Sequence, residues 1–195
     1  MTEPDRMQNV LFLRIRCTAL RIRCTARRTR SDFSPFTDFP EALFLLAGKI
    51  REKTASDPDC LDLICSFAGI TLVFKGEETG DFAKVLAFIP AIRDMVGECN
   101  ELFRKKNFNF CMTTSLVLDA GKSRHLILPA SPCCTGLSTW TGLFADRLDK
   151  LTRSMDESIP SLLITHAFYT NLSPEKQDTF PTAYYIQHIC CYGEK

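Results

Sequence analysis

The chain contains no C-x-x-C pair and no H-E-x-x-H, the local spacings that announce a metal site most directly, and it holds only three histidines. A glycine-rich phosphate loop is missing as well. Ala120, Gly121, Lys122 and Ser123 end like one, but the motif needs a glycine where Leu116 stands, and a helix where His125 to Leu128 reads as strand. Near the start the longest apolar run is Val10 to Leu13, far too short for a secretory h-region or a membrane span. These absences argue against a local zinc motif, a nucleotide P-loop, secretion and membrane insertion.

Ten cysteines are present. With no export signal to favour disulfides, they are expected to be reduced and mostly core-forming, in a soluble protein of the cytoplasm or nucleus. The arginine-rich, acid-poor start keeps mitochondrial import as the alternative.

The net charge of +1 conceals an asymmetry: eight arginines against Glu3 and Asp5 give residues 1–30 a charge of +6 and leave −5 on the rest. Leu13 to Ala19 reads LRIRCTA, and Leu20 to Ala26 repeats it without change. On a helical wheel the apolar residues form two opposed stripes, which cancel an amphipathic moment. As strands, the odd repeat length flips the phase at Ala19 and Leu20. Since neither regular structure suits both copies, residues 1–37 are expected to be a dispensable basic leader with a phenylalanine-rich linker, and residues 38–195 a single globular domain. If the leader acts, Arg14, Arg16, Arg21, Arg23, Arg27, Arg28 and Arg30 would track a phosphate backbone.

Within the domain, Asp38, Pro40 and Glu41 start a helix expected to run from Pro40 to Lys53. Ile70 to Phe74 reads as a buried strand, with Leu61 to Phe67 ambiguous before it. A helical pattern from Asp81 to Lys106 contains Pro90, which predicts a kink or two segments. Strands Phe108 to Leu118 and His125 to Leu128 are expected to flank a hairpin loop at Asp119 to Arg124. Leu143 to Met155 reads as a helix, followed by strands Leu162 to Thr170 and Tyr184 to Tyr192. The pattern predicts an α+β fold: a mostly antiparallel sheet with three to four helices packed on one face, in a single domain.

No catalytic residue stands out, and the reading leans away from an enzyme. It favours a non-enzymatic protein–protein interaction or scaffold module whose partner is another protein. Phe33, Phe36, Phe39 and the lone Trp140 are the candidate contact residues. Nucleic-acid binding through the leader is the second reading. A zinc- or thiol-dependent enzyme is the third: Cys133, Cys134, His166, His188 and Cys190 are the ligands that sheet pairing would have to gather, and no other cofactor is expected.

Overall fold

The computed structural model describes residues 7–21, 38–66, 69–106, 110–128, 137–141, 144–155 and 159–194. Their strands are β1 (Gln8–Arg21), β2 (Cys60–Ser66), β3 (Gly69–Lys75), β4 (Phe110–Leu128), β5 (Leu137–Thr141), β6 (Leu162–Thr165), β7 (Thr182–Ile186) and β8 (Ile189–Gly193). The helices are α1 (Asp38–Thr54), α2 (Thr79–Lys105), α3 (Phe144–Ser154), α4 (His166–Tyr169) and α5 (Pro174–Gln177). The strands order as β2-β3-β1-β4-β6-β8-β7, with β5 added to β4. Every pairing is antiparallel except β4 with β6. The α+β class, the mostly antiparallel sheet and the single domain are as the sequence predicted.

The arginine-rich segment is not a leader over Gln8–Arg21. It is strand β1, which lies between β3 and β4 and pairs with β4 from Gln8↔Ser123 to Arg21↔Phe110. The physical reason is strict alternation. Leu11, Leu13, Ile15 and Cys17 face a core under α1 and α2, while Val10 and Phe12 face a second core on the other side, and Arg14 and Arg16 bond into α3 there. The first LRIRCTA copy lies wholly in β1, and the second enters it only through Leu20 and Arg21. Of the proposed nucleic-acid contacts, Arg14 is buried and Arg16 donates to the Thr152 carbonyl inside the domain. Arg23, Arg27, Arg28 and Arg30 lie outside the described residues, as do Phe33 and Phe36.

Three further expectations change. Residues Asp119 to Arg124 are not a hairpin loop: β4 runs unbroken through them because β1 pairs across the whole segment, Gly121 opposite Val10. Pro90 does not divide the helix; it is exposed on the outer side of α2, where water can satisfy the carbonyl its missing N–H leaves free. The last expected strand is a hairpin instead, β7 and β8 joined at Gln187 and His188, whose φ values of 48° and 68° fit a tight turn.

The sheet separates two layers. The larger core gathers Leu46, Ile50, Ile92, Phe103 and Phe168 from α1, α2 and α4 against one face. The smaller joins Val73, Val117, Leu163 and Cys191 with Leu148 and Leu151 of α3 on the other. That second face also carries nearly all the buried polar chemistry.

Candidate functional site

Alternation in β1, β3 and β4 puts Arg14, Thr71 and Asp119 on the face beneath α3. A side chain buried there is far from water, so each polar group must find a partner inside. Three arrangements result.

In the first, Arg14 has only 7% of its surface exposed. Its Nη1 donates to Thr71 Oγ1 at 2.8 Å, and its Nη2 lies 3.0 Å from Asp149 Oδ1 on α3. The buried Nε–H has no acceptor. The other Asp149 oxygen stands 3.6 Å from Arg153 one turn on. Arg14 and Asp149 border a pocket of about 230 Å³, together with the hydroxyl-bearing Ser66, Thr71, Thr139 and Thr141. Phe12, Ile64, Trp140 and Leu148 supply its apolar wall.

In the second, Asp119 on β4 is fully buried. It accepts from Thr165 Oγ1 at 2.6 Å, from the Ala120 backbone at 2.9 Å and from Arg147 Nε at 2.7 Å, with Arg147 Nη2 at 2.5 Å. Burial pushes the Asp119 carboxyl above its ordinary value, against the opposing pull of the Thr165 hydroxyl and the Arg147 guanidinium. An isolated acid inside the apolar run Leu116 to Ala120 was the sequence signal for this network, and reading the segment as a loop hid it.

In the third, β5 crosses the sheet face so that Trp140 Nε1 donates to Asp62 Oδ2 on β2 at 3.0 Å. The indole stacks on His125 with ring centroids 4.6 Å apart and meets Phe12 edge-on at 6.5 Å. His125 Nε2 lies 3.8 Å from the same Asp62 oxygen. Trp140 is thus buried, with 8% of its surface exposed, and not an outward contact residue. Phe39 likewise packs half-buried against the larger core.

Of the expected zinc ligands, the described ones, His166, His188 and Cys190, form no group that could hold a metal ion. His166 opens α4 instead of lying on a strand, with Nδ1 3.2 Å from the Tyr192 hydroxyl. His188 sits at the tip of the β7–β8 hairpin and Cys190 on β8, while Cys133 and Cys134 lie outside the described residues. Among the described residues no group of three or more His, Cys, Asp and Glu side chains could hold a metal ion. No helix there is long and apolar enough to cross a membrane.

The same architecture occurs in solved nucleotide cyclases. The guanylyl cyclase Cya2 superposes with a TM-score of 0.67 at 9% identity, covering 98% of this chain and 95% of its own. The adenylyl cyclase CyaB from P. aeruginosa gives 0.64 at 10% identity, over 97% of this chain and 96% of its own. The guanylate cyclase domain of RhGC from Catenaria anguillulae, solved in complex with GTP, gives 0.60 at 11% identity, over 97% of this chain and 100% of its own. No protein-family model and no curated protein sequence matches, so the likeness is one of fold. The fold is that of nucleotide cyclase domains. It overturns the expectation of a non-enzymatic interaction or scaffold module: what resembles this chain from end to end is an enzyme's domain.

A fold of this kind raises the question of a divalent cation, since protein phosphoryl transfer ordinarily uses one to neutralise phosphate charge. The described donor set does not fit one. Asp119 is enclosed by Arg147 and Thr165, Asp62 is bonded to Trp140, and Asp149 lies between Arg14 and Arg153. The α3 face offers guanidinium groups and hydroxyls where a cation needs clustered carboxylates.

Proposed function

We propose that this chain is a nucleoside-triphosphate-binding domain of nucleotide cyclase type, working as one member of a two-chain enzyme. The supporting observation is the end-to-end match to cyclase domains, 98% of this chain with Cya2, among relatives solved with GTP and with ATPαS. The α3 face is where a nucleotide is read to bind. It presents a pocket with an aromatic wall, a guanidinium and the Thr71 and Thr139 hydroxyls, groups suited to a base and a phosphate.

Phosphoryl-transfer catalysis is mostly positioning and charge stabilisation. In this reading the chain supplies positioning groups and fixed positive charge, and a partner chain of the same fold supplies the clustered carboxylates not found among its own described residues. The seven described cysteines are all free, which supports a reducing compartment such as the cytosol or nucleus.

Titration with fluorescent analogues of GTP and ATP tests the reading. Saturable binding displaced by the unlabelled nucleotide is expected. No binding of either nucleotide at millimolar concentration overturns it.

A further inference from the structure

We infer that the pocket beneath α3 takes the phosphate tail of a nucleoside triphosphate directly on Arg14, with no divalent cation between protein and phosphate. The inference rests on the nucleotide-binding reading above and says which part of the ligand enters and what neutralises it.

Size comes first. The pocket encloses about 230 Å³. Sites that enclose a whole drug-sized ligand run to roughly 300–1,000 Å³, so only part of a nucleotide enters. The lining selects the anionic part. Arg14 carries five N–H donors in a planar fork and no acceptor, a geometry matched to phosphate oxygens. It is more than nine-tenths buried, so its charge acts where water screens it weakly. The Thr71 and Thr139 hydroxyls add donors around the same space.

The guanidinium is incompletely used as it stands, because Nε–H has no acceptor. Its one carboxylate partner can release it: Asp149 has Arg153 at 3.6 Å to remain paired with. Arg16 is held close by, at the Thr152 carbonyl in the last turn of α3. Arg14, Arg16 and Arg153 outnumber Asp149 here, so positive charge prevails around this end of α3. The carboxylates that would hold such a cation are not gathered among the described residues.

The experiment is calorimetric titration of the full chain with GTP, ATP and inorganic tripolyphosphate, each in EDTA and in excess Mg²⁺. Nucleotide affinity is expected to agree within about twofold between the two conditions, and tripolyphosphate is expected to compete. Arg14→Gln should weaken binding at least tenfold, whereas Asp149→Asn, which frees the guanidinium, should tighten it several-fold. If Arg14→Gln fails to fold, Asp149→Asn decides alone, and unchanged or weaker binding by that variant overturns the inference. Nucleotide binding that vanishes in EDTA, or that tripolyphosphate cannot displace, also overturns it while leaving the nucleotide-binding reading intact. No binding of GTP or ATP under either condition removes that reading instead.

Discussion

Trp140 and Asp62 are joined by an indole N–H bond of 3.0 Å that spans the sheet face, from β5 to the edge strand β2. The bond explains why the one tryptophan is buried: its ring fills the space over Phe12 and its single polar atom is satisfied within. Trp140→Ala is therefore expected to lower unfolding free energy by about 3–5 kcal/mol, the range for deleting a large buried aromatic. Asp62→Asn keeps an acceptor and should cost only about 0.5–1.5 kcal/mol. Urea denaturation measures both. A Trp140→Ala variant as stable as the parent would return Trp140 to the surface.

Much of the element inventory was legible in the sequence. Caps and apolar spacing gave α1 and α3 to within a few residues, and β-branched content gave β3. What failed depends on partners remote in sequence. Composition made Arg14 and Arg16 look solvated, because arginine is rarely buried without a partner, and those partners, Thr71, Asp149 and Thr152, lie more than fifty residues away. Gly121 looked like a turn because its pairing with Val10 could not be seen locally. Gln187 and His188 carry none of the usual turn chemistry, so the β7–β8 hairpin left no signal. The candidate site was missed for the same reason: the residues lining its pocket come from β1, β2, β3, β5 and α3.

Removing residues 1–21 tests the place of β1. Val10, Leu11, Phe12, Leu13 and Ile15 are each at most 5% exposed. Each buried side chain of this kind contributes about 1.5–3 kcal/mol, so their loss, roughly 8–15 kcal/mol together, matches a typical domain's whole stability. The truncated chain should show no cooperative thermal transition. A normal transition would mean that these residues are dispensable after all.

Gly69 opens β3 at φ 137°, and a Cβ there would meet the Ile15 carbonyl oxygen at 2.0 Å. Backbone strain and the clash act together, so Gly69→Ala should cost about 2–5 kcal/mol and loosen the β1–β3 pairing. Hydrogen exchange at the β1 and β3 amides reads the second effect directly. Unaltered protection would mean that the strands absorb the methyl group.

Burial raises the Cys17 thiol to about 12 and the Cys191 thiol to about 11. A thiol held so far above its ordinary value is protonated at pH 8 and a poor nucleophile. Both should resist iodoacetamide in the folded protein and react on unfolding. Because these values are raised on folding, stability is unaffected below the ordinary thiol value of 9.0 and falls as pH rises from there through the folded values. Rapid native labelling of Cys17, located by mass spectrometry, would revive a thiol-based chemistry.

Asp119 gives the sharpest electrostatic test, because burial and its partners oppose one another. Burial dominates and lifts the carboxyl, while Thr165, Arg147 and the Ala120 N–H hold it down. A carboxyl-carbon NMR titration of the wild type should find its midpoint above the ordinary carboxylate value, and Arg147→Gln should move it further up. The folded state then binds the Asp119 proton more tightly than the unfolded chain does. Its stabilising contribution is full below the unfolded carboxylate value and is lost as pH rises through the folded one. Near neutral pH, Arg147→Gln should cost about 3–5 kcal/mol, since it leaves a fully buried carboxylate without its counter-charge. The loss should shrink as acid neutralises the carboxyl. A cost independent of pH would show that Arg147 stabilises α3 by packing its aliphatic stem, and that Asp119 is neutral in the native protein throughout.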